Sequence, residues 1–547
     1  MNYFDILLII INLAAIAGLY FLAGYATRVI NTKWRICYII PAVVCLAFVA
    51  FKGYDACMLP AYIGSLLPIA GFINEKEKVR KLSSVASAAL IVIAVPICLL
   101  NKGYRAADYV QDFKDGFECM QKHYVLAEHK GADWDELYDK YLPMFKAASR
   151  EQDAVANYIA WMKFCAEFHD GHVGYVPANV EDIEDEVKSS LYGNDYGLSL
   201  VTLADGRIAA VSVDESLAEK GITTGTIITK WDGADPLEIA RQSEYFSAAS
   251  FADRDNEAFY LAICAAGVGG DSVTVTYLDE NGNEKEAVLP KLGYYADRAE
   301  ETLKILNGGV ETGHLMWADI DEKTACLRIK AMMFDTDSAT SGDFSIMKSG
   351  IIEKLDEYRA KGVENIVLDM RGNSGGDSQV VKAIAEIFAP AGEYYYATDG
   401  KWDDEAGCYL TDPETGRFVE GKKNYFTGEN LWDGNVIILV NANSVSAADH
   451  LTYVMQGMEN VTVFGFTEPN GSAQGIGGIK LENGQFVFSN ALLLDEDGDV
   501  LIDSGDDYES GNDIDVRVPL DENAIEALFV KGEDYLMQQA LAAIDIK

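Results

Sequence analysis

The chain has 547 residues, 49% of them hydrophobic, with 86 Asp/Glu against 44 Lys/Arg. That length is too great for one core and predicts three or four domains. A net charge of −42 repels nucleic acid and excludes it as a partner; it reads as a solubilising surface, with a preference for basic substrates as the alternative.

The charge is unevenly spread. Residues 1–101 hold 8 Lys/Arg and 4 Asp/Glu, leaving 36 and 82 for the remainder. Four apolar runs, Ile6 to Thr27, Ile36 to Phe51, Ala56 to Asn74 and Leu82 to Leu100, predict four transmembrane helices. No basic segment precedes the first run and three more follow it, so it does not read as a cleaved signal peptide. Arg28, Lys33 and Arg35 follow run one, and Lys76, Lys78, Arg80 and Lys81 follow run three. Basic loops stay in the cytoplasm, which puts everything after Leu100 outside and in contact with lipid only through its anchor. The nine cysteines include no CxxC, so neither a disulfide framework nor a zinc site is suggested.

Residues 104–170 have helical spacing, through Tyr109, Val110, Phe113, Phe117 and Met120, then Trp134 to Phe145, then Asp153 to Phe168. The segment ends in Phe168-His169-Asp170-Gly171-His172-Val173-Gly174-Tyr175. From 190 to 292 the period changes to that of strands, as in Ile208 to Val213 and Ser272 to Tyr277, with turns at Asp205-Gly206 and Asn281-Gly282-Asn283. Residues 312–517 alternate strands (Thr324 to Ile329, Asn365 to Met370, Val436 to Val440) with helices (Ser345 to Lys361, Ser378 to Phe388, and one from Ser446). This alternation predicts an α/β core with a largely parallel sheet. A last helix is expected over Lys531 to Ile544.

Three stretches carry chemistry. Val440-Asn441-Ala442-Asn443-Ser444-Val445-Ser446-Ala447-Ala448-Asp449 is a buried strand, a polar turn and a helix start. A Ser there is either an N-cap or a nucleophile beside N–H groups that stabilise negative charge. Asp369-Met370-Arg371-Gly372-Asn373-Ser374-Gly375-Gly376-Asp377 offers backbone N–H groups with no side chain in the way; no Lys-Ser/Thr follows, so it is a poor phosphate loop. Asp170-Gly171-His172 offers a possible general base.

Together these stretches resemble the C-terminal processing peptidases and their tricorn-core relatives, over roughly residues 105–520. The resemblance implies a ClpP/crotonase-like α/β core, a helical subdomain and a β-rich PDZ-like domain behind the four transmembrane helices. Its expected boundaries are 1–101, 102–185, 186–295 and 296–547. Ser216 to Ile222, Gly225 to Ile228 and Trp231-Asp232-Gly233 resemble the PDZ pattern. There Gly197, Leu198, Ser199 and Leu200 would be the loop that holds a peptide's terminal carboxylate.

By the same resemblance Ser446 is the nucleophile, and Gly375 or Gly376 with Ala447 forms the oxyanion hole. The processing peptidases take a Lys after the nucleophile as base, in a Gly-Lys-Gly context. Here Thr467 to Gly475 contains none, and Lys480 is displaced. The tricorn-like branch takes a His from an upstream helical segment, the place of His172, and orients it with a Glu, here Glu509. The chain departs from tricorn at Gly171, where tricorn has Ser, and at Gly511-Asn512-Asp513. The expected function is a membrane-anchored serine endopeptidase acting on extracytoplasmic proteins or peptides, without metal or organic cofactor. The alternatives are an inactive, membrane-tethered peptide-binding protein of the same fold and, less in keeping with membrane runs that carry no ionisable residue, a transporter.

Overall fold

The computed structural model describes residues 42–43, 59–67, 69, 73, 86–87, 89–90, 107–178, 186–187, 189, 192–242, 252–309, 315–333, 343–505, 508–510 and 512–544. The chain divides into two compact units, Met1–Asp108 and Tyr109–Lys547. In the first, helix α1 (Leu59–Leu66) lies inside the third apolar run. The run Ile6 to Thr27 and most of the other three lie outside the described residues. Among the described residues no helix is long and apolar enough to cross a membrane.

The second unit begins with three helices, α2 (Tyr109–His123), α3 (Trp134–Glu151) and α4 (Ala154–Ala166). Asp133 and Asp153 cap α3 and α4 by accepting the N–H of Glu136 and Ala156. Pro143 is tolerated inside α3, so the helix runs past the expected end at Phe145. Phe113, Phe145, Trp161 and Phe164 form the aromatic centre, with Phe113 stacked on Phe145 at 4.3 Å. Strand β1 (Gly174–Pro177) follows directly after the Asp170-Gly171-His172 turn.

Strands β2 (Ser199–Thr202) and β3 (Ile208–Val211) form a hairpin across Asp205-Gly206. A short 3-10 helix, Glu215–Lys220, closes at Gly221 with φ +80°, and β4 (Ile228–Trp231) follows. A short helix over Pro236–Gln242 and helix α5 (Arg254–Ala265) come next, then a hairpin of β5 (Ser272–Leu278) and β6 (Glu284–Pro290), which pairs with β4. The short helix, turn and strand stand where the sequence pattern placed them.

After a helix over Ala296–Leu306, the main elements are β7 (Leu315–Asp319), β8 (Thr324–Ile329), α6 (Ser345–Lys361), β9 (Asn365–Asp369), α7 (Ser378–Phe388), β10 (Gly392–Gly400), β11 (Glu420–Gly428), β12 (Asn435–Val440), α8 (Ala447–Met455), β13 (Val461–Gly465), β14 (Gly475–Lys480), β15 (Gly484–Ala491), β16 (Val516–Arg517) and α9 (Tyr535–Ile544). The expected C-terminal helix is interrupted. A wide turn over Glu526–Lys531 ends at Gly532, φ +67°, before α9 starts.

Six strands form the central sheet in the order β16-β13-β12-β9-β8-β7, parallel except for β7. All five residues of β9 are buried, as expected of a parallel strand covered on both sides. Ile366, Leu368, Ile438, Val440 and Val463 face α6, α7 and α8 in one hydrophobic cluster. Val367, Ile437, Leu439 and Phe464 face the other way, into a cluster that runs through α9 and on to β2, β3 and α5. The β-rich segment therefore shares a core with the sheet. A second, antiparallel sheet has the order β1-β15-β14. Trp161 packs on Phe486 of β15 at 4.7 Å, which ties the helices to this sheet.

Candidate active site

Strands β9 and β12 are parallel neighbours, in register from Asn365↔Asn435 to Asp369↔Leu439. The two loops that leave their carboxyl ends therefore lie side by side, where open α/β sheets place their ligands. The Val445 N–H donates to the Asn373 carbonyl at 2.9 Å, and the Ser444 hydroxyl to the Met370 carbonyl at 2.8 Å. Ser444 is fully buried and serves as a staple. Ser446 is half-buried at the start of α8, with φ +63° and ψ −114°. An L-residue adopts that conformation only under constraint from its surroundings, and such strain clusters at functional sites.

Gly375 presses against Ser446. A Cβ at Gly375 would come within 2.6 Å of the Ser446 Cβ, and its φ of +80° already requires glycine. The Gly375 N–H is engaged, donating to Asn373 Oδ1 at 2.9 Å. It is therefore corrected as an oxyanion donor: its part is to leave room for the serine. The N–H groups of Gly376 and Ala447 donate to no acceptor among the described residues. Both stand beside Ser446, one across the loop and one at the N-terminus of α8, where unpaired N–H groups carry partial positive charge.

Arg371 fixes the glycine loop from below. It is 1% exposed and makes paired bonds to Asp369 (2.9 and 2.8 Å) and to Asp534 (2.8 and 2.6 Å), next to α9. Arg328 Nε also donates to Asp369, at 2.8 Å. The two guanidinium groups hold the Asp369 carboxyl down at about 2 although burial opposes this.

Asp449 joins the nucleophile to the base side. Buried in the first turn of α8, its carboxyl accepts the Ser446 N–H (3.2 Å), the Gly471 N–H (3.2 Å), the Ser472 N–H (3.3 Å) and Asn512 Nδ2 (3.1 Å). Burial still pushes this carboxyl up to about 8, against the pull of those donors. The strip it holds then meets the Asp170-Gly171-His172 turn, because the Ser472 hydroxyl accepts the Gly171 N–H at 2.7 Å. A Cβ at Gly171 would come within 2.1 Å of Asn470 Oδ1, so a side chain there would have to displace Asn470.

Asp170 is buried and fixes the turn, accepting from the His172 N–H (2.8 Å), Ser489 Oγ (2.8 Å) and Tyr124 OH (3.1 Å). His172 is 7% exposed, and neither ring nitrogen has a hydrogen-bond partner. The Gln474 backbone and the Asp170 carboxylate favour the charged form of the ring. Burial outweighs both and lowers the His172 pKa. The structure thus brings His172 to the strip that Asp449 organises, but forms no Ser446–His172 hydrogen bond.

Two further expectations, Glu509 and the loop 197–200, need correction, whereas Lys480 stands apart as the sequence suggested. Glu509 is exposed and makes no hydrogen bond to His172; three residues on, Asn512 turns inward and takes the place beside Asp449. Lys480 is exposed at the far end of β14, beyond the strip. Gly197, Leu198, Ser199 and Leu200 are all buried, with the Gly197 N–H donated to Asp195 Oδ1 (2.8 Å) and Ser199 Oγ bonded to the Tyr295 hydroxyl (2.5 Å). Leu198 and Leu200 share a hydrophobic cluster with Tyr260 to Ala265 of α5, so their side chains are core rather than ligand-facing. The sequence reading also passed over Asp449, Asn470, Gln474 and Asn512 as working residues. Asp449 and Asn512 stood inside the motifs already quoted, but nothing local marked them as partners.

Residues 323–504 match Peptidase family S41, and residues 105–155 match the Tricorn protease C1 domain. No curated protein matches the chain. Among solved structures, mature CPAF complexed with lactacystin aligns with 13% identity over 80% of this chain and 98% of that one, TM-score 0.52. Mature CPAF alone aligns with 13% identity over 79% and 96%, TM-score 0.52. The photosystem II D1 C-terminal processing protease aligns with 15% identity over 78% and 98%, TM-score 0.35. The CPAF alignments share the fold of this chain. The chain is thus similar to the S41 peptidases over residues 323–504 and to the tricorn C1 domain over 105–155, and it is a serine-type peptidase.

Proposed function

We propose that the chain is a membrane-anchored endopeptidase that cleaves extracytoplasmic proteins or peptides through Ser446 and His172. The conformation of Ser446 carries the reading: a strained serine at a helix start, with a glycine pressed against its Cβ and two open N–H groups beside it. Ser446 Oγ attacks the scissile carbonyl carbon while His172 takes its proton. The carbonyl oxygen, now an anion, accepts from the N–H groups of Gly376 and Ala447. His172 returns the proton to the leaving amine, the C–N bond breaks, and water then releases the acyl group from Ser446 by the same steps. A base must be neutral to accept a proton, and the burial of His172 favours that form at neutral pH. Closing the Ser446–His172 hydrogen bond is the step left to substrate binding, since such bonds often tighten only in the complex.

The four apolar runs supply the anchor, and the basic loops between them place the peptidase outside the cytoplasm. The β-rich segment, with its PDZ-like helix, turn and strand, contributes to substrate capture, though not through the buried residues 197–200. The test is hydrolysis of an unfolded protein by the full-length chain, in wild type, Ser446→Ala and His172→Ala. Activity lost in both variants supports the mechanism; activity kept in His172→Ala contradicts the assigned base. Digestion of intact cells with added protease checks the topology, and full protection of the peptidase contradicts it.

A further inference from the structure

Strand β14 is the edge of the β1-β15-β14 sheet, and its outer side has no strand partner among the described residues. Native sheets protect such edges with proline, charge, bulges or a cover, because unpaired N–H and C=O groups invite another strand. This edge reads Gly475-Ile476-Gly477-Gly478-Ile479-Lys480. It has no proline, its one charge stands at the far end, and its one irregularity lies at the start, between Gly475 and Ile476. Ile476 is 61% exposed, an apolar side chain on an edge that solubility alone would make polar.

The near end of the strand runs into the site. Gln474 immediately precedes it, and Ser472, two residues earlier, accepts the N–H of Gly171 next to His172. Ile476 pairs across the sheet with Ser489, whose hydroxyl donates to Asp170, two residues before His172. A chain laid along β14 would therefore lead to the base and its nucleophile.

We propose that β14 receives an extended stretch of polypeptide substrate as an added strand and so directs its scissile bond to Ser446. Main-chain hydrogen bonds would give affinity with little regard to sequence, and contact with Ile476 would favour an apolar side chain at one position. The partner is an unfolded or unstructured segment, because a folded domain offers no unpaired backbone. The inference rests on the peptidase reading above.

The test uses the full-length chain, reduced casein as an unfolded substrate and a fluorophosphonate probe that needs only the nucleophile. A lysine on an edge is a natural guard against strand addition, so Ile476→Lys is the variant. Its expected KM for casein is raised about tenfold or more, with probe labelling unchanged. A cleavable peptide N-methylated at alternate amides should compete at least about tenfold more weakly than its parent. Normal labelling with unchanged KM and equal competition overturns the strand proposal alone. Failure of the wild type to label overturns it together with the peptidase reading. A wild-type oligomer that Ile476→Lys dissociates without a change in KM shows that the edge pairs with a second copy, and also overturns it.

Discussion

Ser446 and Gly375 sit on loops that leave two parallel strands held in register over five residue pairs. His172 precedes a strand of a different sheet, and Glu509 lies in an irregular stretch. The first pair is placed by backbone: strand register, the Val445–Asn373 bond and a glycine with φ +80°. His172 is placed by side chains, above all by Asp170, Ser472 and Ser489. Backbone placement gives a finished arrangement, with the serine already strained and the donors already open. Side-chain placement leaves buried polar atoms unpaired, among them both nitrogens of His172, Asn470 Oδ1, Asp503 Oδ1 and Asn512 Oδ1. Unpaired buried groups are costly, so this half is where substrate or small changes should act most.

The strongest way to break the comparison is Ser446→Ala, which should lower hydrolysis by on the order of a millionfold and leave the fold intact. Steady-state rates and a thermal melt check both parts. Next comes Arg371→Met, which strips the glycine loop of its anchor and leaves the Asp534 carboxylate only the Met537 N–H and Asp369 only Arg328 as a charged partner. Breaking a buried pair costs about 3–5 kcal/mol, so the denaturant midpoint should fall sharply. Gly375→Ala then tests the backbone half alone. A methyl group 2.6 Å from the Ser446 Cβ must displace the nucleophile. A shift of that kind costs about a hundredfold in kcat, while KM should change little.

The side-chain half is sharpened by pH. The folded Asp449 carboxyl titrates at about 8, against an ordinary 3.8. Below about 4 both the folded and the unfolded chain hold that proton. Between the two values only the folded chain keeps it, so stability falls as pH rises toward 8. Asp449→Asn should flatten that slope, as read from denaturant midpoints between pH 5 and 9 taken as about the range of interest. His172 acts in the opposite sense: burial lowers its pKa, so the acid limb of kcat/KM should lie below the ordinary 6.5.

The α/β core was legible because its signals are local. Thr324–Ile329, Ser345–Lys361 and Ser378–Phe388 form over the spans the pattern predicts, bounded by residues such as Gly362, φ +83°, and the cap Asp377. The nucleophile loop was legible for the same reason. The burial of Tyr196 to Leu200 was not legible because a Gly-Leu-Ser-Leu run looks alike whether exposed or packed, and the helix it packs with, α5, lies over fifty residues away in sequence. Asp449 draws its partners from 446, 471, 472 and 512, a set that no single window of sequence contains. Glu509 was favoured as an acid near a late glycine, but its side chain is exposed and it is Asn512 that bonds to Asp449.

The central claim is that Ser446, and no other serine, is the nucleophile. Its most direct test is to label the full-length chain with a fluorophosphonate, digest it and locate the adduct by mass spectrometry. The account predicts one adduct, on the peptide containing Ser446, absent after Ser446→Ala and strongly reduced after His172→Ala. An adduct on Ser444 or Ser374, or labelling that survives Ser446→Ala, would contradict it.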